Sequence, residues 1–472
     1  MQFKYLTLPV FFLCIFLRAL NSVVLAQSTP KYNVLFIAVD DLNDWIGPLK
    51  GYPGVKTPNI DRLAKKGMTF KKAYCSAPAC NPSRASLLTG VRPSTSGVYH
   101  NNQPWRNVLP DAVTLPQHFT ANGYDVVGAG KIFHEPYEDS ASWDHHYKVP
   151  DFPRPAKTPV NGGANFDWSP VDVTDEEMGD YKTVQRGVDY LFEKHDKPFF
   201  LAIGLIRPHL PWYVPQKYFD MYPLEGILLP TTISNDLDDL PEMGKRMATT
   251  IYGTVGAPEA RRGLSDHQFI LQNNQWKKAI QAYVASISFA DAQIGRLLDA
   301  LEKSAYNKNT IIVFFGDHGW QLGEKEHWRK FTLWEESTRV PFIFVAPGIT
   351  KPNSVCERTV NLMDIYPSLI DLCRLQKKPG LEAMNFTPLL RSPKVAWNYP
   401  SVTTHGRNNH AVRTERWRYI HYHDGGEELY DHTVDPQEWK NLANDPKYGS
   451  VKSELKKWLP KINAPDAPTR QQ

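Results

Sequence analysis

The sequence predicts an α/β protein with a large, mostly parallel sheet flanked by helices, followed by a smaller C-terminal α+β subdomain built on an antiparallel sheet. Short and almost wholly apolar segments alternate with helical patterns through most of the chain. Ionisable residues follow several of these segments directly, as expected where the strands of a parallel sheet end and ligands bind. After about residue 385 the pattern changes to alternating strands and a hairpin turn.

The length and charge of the chain limit its function. Its 472 residues are enough for a large domain and a smaller one, which we place at 27–385 and 386–472. It has 54 Lys and Arg residues against 50 Asp and Glu residues, a formal charge of +4, and two of the basic residues, Lys4 and Arg18, lie in an N-terminal segment without acids. The nearly balanced remainder argues against a general nucleic-acid-binding surface and predicts that basic groups are gathered in one site.

Residues 1–26 are typical of a secretory signal peptide. Lys4 precedes an apolar run around Leu8 to Leu17, and small residues end at Ala26 before Gln27. An uncleaved membrane anchor is the alternative, although the run is short for a membrane span. We therefore expect a secreted or periplasmic protein, cleaved near Ala26 and then free of the membrane.

The larger domain begins with a buried strand, from Tyr32 to Val39. Asp40 and Asp41 follow at its carboxyl end and form a candidate site for a hard cation. Solvated loop acids or a helix cap are the alternatives. A helix opened by Thr57-Pro58 and closed by Gly67 comes next.

Residues Cys80 to Gly90 predict a short helix with a thiol at its N-terminal mouth, Pro82 being the first helical residue. The N-terminus of a helix stabilises a bound anion. A buried structural cysteine is the alternative. Cys14 lies in the predicted signal peptide, and the other three cysteines, Cys75, Cys356 and Cys373, could form at most one disulfide if Cys80 is modified.

The loop from His100 to Arg106 mixes amides with Trp and Arg, as in sugar-binding loops. Asn102, Trp105 and Arg106 are predicted to contact substrate, and the Arg106 guanidinium could bind a carboxylate. An ordinary surface loop of the same composition is the alternative. A helix near Thr114 to Asn122 and a strand from Val126 to Gly130 follow.

Polar residues follow each later strand as well. The predicted strands are Val126–Gly130, Phe199–Leu205, Thr310–Phe315 and Val340–Val345, and the predicted helices are Tyr181–Lys194 and Trp276–Leu301. Residues 139–175 are predicted to form an irregular insertion, and residues 222–275 are predicted to form a second, polar insertion. The residues that follow the strand ends are Lys131, His134, His209, Asp317, His318 and Trp320, with Lys330 further on. Because parallel strands end at one edge of a sheet, we expect Asp317 and His318 to lie beside Asp40 and Asp41 as a set of metal ligands. Lys131 and His134 also follow a strand end, and a solvated or capping role is the alternative for each of them.

The C-terminal subdomain is predicted from two strands and a helix. Arg413 to Tyr422 alternates as a strand, Asp424-Gly425-Gly426 forms a hairpin turn, and the return strand begins at Glu428. The tail helix runs from Ser453, a predicted N-cap, to Trp458.

Several of these segments resemble one family. Cys80-x-Pro82-Ser83-Arg84, followed by Leu88-Thr89-Gly90, resembles the signature of type I sulfatases. The resemblance spans most of residues 31–445, including Glu428 to Asp431 and Asp435-Pro436. The segments most similar to iduronate 2-sulfatases, and to related bacterial polysaccharide sulfatases, are Lys131-Ile-Phe-His134, Arg207-Pro-His209 and Asp317 to Gly323. The resemblance to sulfatases implies an alkaline-phosphatase-like sulfatase fold.

The resemblance also implies a chemistry. Cys80 would be oxidised to formylglycine (3-oxoalanine) by a formylglycine-generating enzyme, and the hydrated aldehyde would attack sulfur with one hydroxyl and expel sulfate with the other. One Ca²⁺ ion would be held by Asp40, Asp41, Asp317, His318 and the modified Cys80, although His318 departs from an all-oxygen shell and leaves the ion less certain than the site. The remaining implied roles are Arg84 holding the hydrate, Lys131 and Lys330 binding the sulfate, Trp320 contacting substrate, His209 as general acid and His134 as base.

The sequence thus predicts a sulfatase acting on a sulfated oligosaccharide or polysaccharide, with a 2-O-sulfated uronate as the expected substrate. Three alternatives stay open: a phosphate or phosphonate monoester hydrolase on the same scaffold, an enzyme for a small ester such as choline sulfate, and an inactive sugar-binding protein.

Overall fold

The computed structural model describes residues 1–2, 32–163, 165–252 and 261–470. Apart from its first two residues, the predicted signal peptide lies outside these ranges. The described strands are β1 Asn33–Val39, β2 Met68–Tyr74, β3 Asp125–Gly130, β4 His145–Tyr147, β5 Trp168–Val171, β6 Phe199–Leu205, β7 Trp212–Pro215, β8 Thr310–Gly316, β9 Gln321–Leu322, β10 Trp328–Arg329, β11 Arg339–Val340, β12 Phe342–Val345, β13 Ser354–Asn361, β14 Ser401–Thr404, β15 His410–Arg413, β16 Trp417–His421 and β17 Glu427–Asp431.

The described α-helices follow the same chain order. They are α1 Pro58–Lys66, α2 Cys80–Thr89, α3 Pro93–Ser96, α4 Trp105–Val108, α5 Leu115–Ala121, α6 Gly179–Phe192, α7 Gln216–Asp220, α8 Glu242–Ala248, α9 Asp266–Gln272, α10 Trp276–Lys303, α11 Glu335–Thr338, α12 Ile365–Leu372, α13 Thr387–Arg391 and α14 Gly449–Lys456. Within the described ranges, no helix combines the length and apolar character needed to cross a membrane.

A nine-stranded sheet forms the centre of the molecule, in the order β11-β2-β12-β8-β1-β6-β3-β4, with β13 also paired to β2. Strand β1 runs parallel to β6 and β8, and β3 runs parallel to β6 and β4. Strand β12 is antiparallel to β8 and β2. The only α-helix between β8 and β12 is the one-turn α11, so β12 returns in the opposite direction beside β8. The predicted mostly parallel α/β fold is confirmed.

Alternate residues of β1 enter the two cores on either side of this sheet. Leu35, Ile37 and Val39 pack into one apolar cluster, whereas Val34 and Phe36 pack into the other. Helices α10, α6 and α1 cover the first face, and α2, α5 and α12 cover the second. Both faces of β1 are therefore buried, which explains its almost continuous apolar sequence.

A four-stranded antiparallel sheet, β14-β15-β16-β17, forms the C-terminal part of the fold. The predicted single strand from Arg413 to Tyr422 is wrong, because the chain turns between β15 and β16. Thr414 makes this turn by accepting a backbone hydrogen bond from Trp417 on its side-chain oxygen at 2.9 Å. The predicted cap at Ser453 is also wrong, since helix α14 begins at Gly449 and the Ser453 hydroxyl donates to the Gly449 carbonyl inside it.

Three other predicted segments differ from the structure. The insertion at 139–175 adds the edge strand β4 and strand β5, which pairs with β7, and 222–275 contains α8 and α9. These elements are too short to show a period in sequence. Helix α2 begins at Cys80 itself, with Ala79 extended as its cap, so Pro82 is its third residue. The four cysteines of the described ranges are buried and form no disulfide with one another.

A buried ionic network joins the C-terminal sheet to the catalytic part. Glu335, at the start of α11, accepts hydrogen bonds from Arg413 at 3.1 Å, from Arg418, and from the hydroxyl of Tyr74 at 2.9 Å. Burial alone would raise the pKa of Glu335, but Arg413, His432 and Arg418 hold it well below its usual range. The two parts of the chain therefore share a set of fully desolvated charges.

Candidate active site

Two parallel strands bring three aspartates to one point. Strands β1 and β8 pair in register with Val39 opposite Gly316, so Asp40 and Asp317 leave the sheet side by side. The backbone N–H of Asp41 donates to Asp317 Oδ1 at 3.1 Å, which fixes the two strand ends to each other. Asp41 has a φ of 60°, in the left-handed region, which turns its side chain back over the sheet edge.

Cys80 lies at the centre of this edge and is completely buried. Its Sγ is 2.8 Å from Lys330 Nζ, 3.3 Å from His318 Nε2 and 3.4 Å from Asp40 Oδ1. Burial and the Asp40 carboxylate oppose ionisation, but Lys131, Lys330 and His318 together lower the pKa of the thiol. The site thus favours an anion at this position.

The signature residues after Cys80 attach helix α2 to the strand ends. The Ser83 hydroxyl donates to the Asp317 carbonyl at 2.6 Å, and Arg84 Nε donates to Asp317 Oδ2 at 2.8 Å. The Arg84 guanidinium also reaches Asp40 Oδ1 at 3.4 Å and the carbonyl of Ile132 at 3.0 Å. Arg84 is therefore held by the carboxylates themselves, and their charges raise its pKa although burial opposes this.

The carboxylates of this edge fit a divalent cation. Ligand atoms of Asp40, Cys80, Asp317 and His318 lie within 4.8 Å of one another. Asp41 Oδ2 is buried with no hydrogen-bond partner, so one carboxylate oxygen has no group to satisfy it. The carboxylates pair instead with ammonium groups, Asp40 with Lys131, and Asp41 with Lys330 at 2.6 Å. The donor set, rich in carboxylate oxygen, suits a hard cation such as Ca²⁺.

Two histidines face the same centre. His209 Nδ1 contacts the Leu210 carbonyl at 2.5 Å, so this nitrogen carries the proton and Nε2 points to Asp41 Oδ2, 3.9 Å away. Burial, with help from Lys131, lowers the pKa of His209 well below its usual value. Burial and Lys131 lower the pKa of His134 to about 3, and its Nδ1 has no hydrogen-bond partner. Both shifts favour the neutral form of the imidazole.

Asp180 positions the loop that carries His209. Its carboxylate accepts the backbone N–H groups of Ile206 at 2.8 Å and Arg207 at 2.9 Å, directly after β6. Our sequence analysis missed Asp180, because an acidic residue in the first turn of a helix is expected simply to interact with the helix dipole. A cavity of about 310 Å³ opens beside this loop, and its lining includes Lys131, His134, Arg154, Arg207 and His209.

Comparison with known proteins identifies the family. Residues 32–375 match the family described as Sulfatase, and residues 323–464 match the one described as N-sulphoglucosamine sulphohydrolase, C-terminal. The chain belongs to the sulfatase family. As predicted, this sulfatase is a sulfuric ester hydrolase.

Individual relatives agree with this assignment. The sulfatase is 40% identical to a sulfatase of Formosa agariphila, over 93% of this chain and 88% of the relative. It is 33% identical to the iduronate 2-sulfatase of Homo sapiens, over 79% of this chain and 70% of the relative. Its fold is similar to the phosphonate monoester hydrolase of Agrobacterium radiobacter, with a TM-score of 0.75, 22% identity and coverage of 90% and 94% of the two chains.

Two of the predicted sugar-contacting residues, Trp105 and Arg106, already have partners within this sulfatase. Trp105 is 1% exposed, and its ring stacks on Phe133 at 5.2 Å while its N–H donates to the Tyr137 carbonyl at 3.0 Å. Arg106 pairs with Asp139 at 2.5 Å and stacks on Trp105. Trp105 therefore has almost no surface for a contact with substrate, which contradicts its predicted role. The side chain of Arg106 is 30% exposed, so its contact with substrate stays a prediction.

The other two residues predicted to contact substrate, Asn102 and Trp320, differ in exposure. Asn102 is exposed, and its carbonyl accepts the backbone N–H of Arg470 at 3.0 Å, so its side chain stays a candidate. Trp320 is 2% exposed and packs edge-on against Trp212, with Lys330 Nζ 5.6 Å from its ring. It lies behind Lys330, so the prediction that it contacts substrate is wrong, and it supports the lysine instead.

Proposed function

We propose that this sulfatase removes sulfate from a 2-O-sulfated uronate of an oligosaccharide or polysaccharide, using a formylglycine made from Cys80 and a bound Ca²⁺ ion. One observation carries the proposal: the thiol of Cys80 lies at the start of a helix, 2.8 Å from Lys330 and beside Lys131, at the edge where the aspartates meet. The identity to human iduronate 2-sulfatase supports the substrate class.

The cation would be held by the residues that already form the carboxylate edge, Asp40, Asp41, Asp317 and His318, with the modified side chain of residue 80. When bound, it polarises sulfate oxygens and lowers the pKa of a neighbouring hydroxyl. The hydrated aldehyde supplies two hydroxyl groups where the protein now has one sulfur atom. Arg84 keeps Asp40 and Asp317 in place for both groups.

Lys131 and Lys330 bind the sulfate in this proposal. In the ligand-free protein each ammonium pairs with an aspartate, and Lys330 also contacts Cys80. Once the aspartates share their charge with a cation, both ammonium groups can donate to sulfate oxygens. The two lysines reach residue 80 from different loops, and this arrangement fits a tetrahedral anion.

His209 protonates the sugar oxygen that leaves. Its Nδ1 proton is held by the Leu210 carbonyl, so a second proton on Nε2 faces the site. Because the free imidazole is neutral, this role requires the anionic ester to raise the pKa of His209 when it binds. His134, whose pKa of about 3 keeps it neutral, accepts a proton in the second half of the reaction. Each transfer is typically worth about 10²- to 10⁴-fold in rate.

The proposal also includes secretion and maturation. Residues 1–26 would direct the chain to an oxidising compartment outside the cytoplasm, and a formylglycine-generating enzyme would convert Cys80. N-terminal sequencing of protein recovered from the secreting host tests cleavage near Ala26. Recovery of the uncleaved chain in the membrane fraction would contradict it.

The activity is tested with protein produced together with the maturing enzyme. Mass spectrometry of the peptide containing Cys80 measures conversion, and rates are compared on 2-O-sulfated uronate disaccharides, 6-O-sulfated neutral sugars, choline sulfate, an aryl sulfate and an aryl phosphate. We expect conversion, and the highest kcat/KM on the uronates. Cys80→Ala should be inactive, whereas Cys356→Ala, which removes another buried thiol far along the sheet, should keep activity. A preference for the phosphate or the neutral sugar would contradict the proposal.

A further inference from the structure

A second cavity shares none of its lining residues with the cavity beside His209. It has a volume of about 570 Å³ and lies between the segment around α8, the C-terminal sheet and the chain terminus. Its lining includes the rings of His100, Phe331 and His405, which form an aromatic wall, and the side chains of Arg246 and Arg407. The function proposed above does not use any of these five residues.

The aromatic wall of this cavity is attached directly to the reaction centre. Phe331 follows Lys330, and its N–H donates to the carbonyl of Pro78, two residues before Cys80. On the other side, Asn81 Nδ2 donates to the His100 carbonyl at 3.0 Å. The His405 ring connects the two, with centroids 5.8 Å from that of His100 and 5.9 Å from that of Phe331. A sugar whose sulfate is bound at residue 80 would therefore extend over these rings.

The two arginines carry unpaired charge into the same cavity. Both are exposed. Arg246 donates to Met243 Sδ at 3.4 Å, and Arg407 donates to the Asn463 carbonyl at 3.1 Å. Among the described residues, neither forms an ion pair with a carboxylate. The one carboxylate of the lining, Asp466, is 3.7 Å from His100 instead.

We infer that this cavity is the subsite for the sugar carboxylate, with Arg246 and Arg407 binding a uronate and the aromatic wall packing against its ring. Guanidinium groups bind carboxylates through paired, charge-assisted hydrogen bonds, and an uncharged sugar would leave both arginines without an anionic partner. Asp466 opposes a second anionic group near His100 and is placed to accept a sugar hydroxyl. The inference rests on the proposed function and assigns to this pair the carboxylate binding predicted for Arg106, whose guanidinium is already paired with Asp139.

The test compares one sulfated uronate disaccharide with its carboxyl-reduced form, in matured wild-type protein and in Arg246→Gln, Arg407→Gln and the double variant. The ratio of the two kcat/KM values measures recognition of the carboxylate alone. We expect the wild type to prefer the acidic substrate, and each variant to lower the ratio about 10-fold or more, as for loss of a charge-assisted hydrogen bond. Arg391→Gln, an exposed arginine of α13, is the matched control and should leave the ratio unchanged.

Two results would overturn the inference: a wild-type ratio near one, or variants that keep the wild-type ratio. Failure of the proposed function is distinguished by a binding measurement on the Cys80→Ala protein. Titration with an unsulfated uronate disaccharide should show binding that the double variant weakens, even if no sulfated uronate is hydrolysed. If the unsulfated uronate binds equally well to Cys80→Ala with and without the two arginine substitutions, the cavity does not recognise the carboxylate.

Discussion

Asp180→Asn tests whether the loop carrying His209 is positioned by a single buried carboxylate. The wild-type side chain accepts two backbone N–H groups, from Ile206 at 2.8 Å and Arg207 at 2.9 Å. An amide keeps one acceptor oxygen and presents an NH₂ group to the other N–H. Loss of one hydrogen bond to a charged acceptor costs about 1.5–3 kcal/mol. Part of this cost is relieved if the loop moves, and His209 moves with it.

The expected result is a fall in kcat of about 10- to 100-fold on an aryl sulfate, since displacement of a catalytic group by about 1 Å is enough for a loss of this size. The assay is initial-rate kinetics on matured protein above pH 7, with Tm measured in parallel. Burial raises the pKa of Asp180 to about 6, so the wild-type carboxylate is ionised under these conditions.

Asp291→Asn is the matched control for this prediction. Asp291 lies in α10, accepts the backbone N–H groups of Asn59 at 3.1 Å and Ile60 at 2.8 Å, and burial also raises its pKa to about 6. It should lower Tm by a similar amount and leave kcat near the wild-type value. The reasoning is refuted if both variants lose the same kcat, or if Asp180→Asn loses Tm while its kcat is unchanged.

Three further predictions concern charge, pH and metal. Glu335→Gln should destabilise the protein by about 3–5 kcal/mol in denaturant unfolding, because buried Arg413 loses its carboxylate partner and Arg418 keeps only Glu438. Glu427→Gln, which breaks partly exposed lysine pairs, should cost less than about 1 kcal/mol, and equal costs would contradict this prediction. Burial lowers the pKa of His410 to about 4, so the unfolded chain binds its proton first, and the stability it contributes is complete above pH 6.5 and lost as pH falls towards 4. When the pH is lowered from 8 to 5, the free energy of unfolding of the wild type should fall by about 2 kcal/mol more than that of His410→Gln. The prediction is wrong if the free energies of unfolding of the two proteins change in parallel with pH. A chelator should abolish activity and lower Tm, with both restored by Ca²⁺, and Asp41→Asn should blunt the Tm response; a chelator-insensitive Tm would count against a resident cation.

The sheet and its active edge were predictable because their physical signals are local. Buried parallel strands require nearly continuous apolar runs, and the residue after each run must lie at the shared carboxyl edge. Asp40 and Asp317 could be placed together by this reasoning alone. Lys330 could not, because it follows an irregular segment in which Lys325, Glu326 and Arg329 all have positive φ values, and its assignment came from family resemblance.

The contacts of the predicted sugar-contacting loop could not be inferred from the sequence, because they are not local. A Trp in a polar loop has the composition of an exposed binding residue, but its surroundings depend on distant chain segments. Phe133 covers Trp105, and Asp139 neutralises Arg106, more than 25 residues along the chain. Asp180 was missed in the same way, since its partners belong to the loop after β6. Sequence pattern identifies where strands end but does not reveal which loops fold back on them.

The complete burial of Cys80 sets an order of events for any chemistry performed on it by another protein. In the folded protein the sulfur atom of Cys80 has no exposed surface. The last described residues pack over the neighbouring loops, where the backbone N–H groups of Ala464, Ala467 and Arg470 donate to the carbonyls of Ser94, Gly97 and Asn102. An oxidising enzyme must therefore reach the thiol while the polypeptide is still open. A host that folds this chain faster than it matures it would accumulate a stable but unconverted product, and later addition of the maturing enzyme would not rescue it.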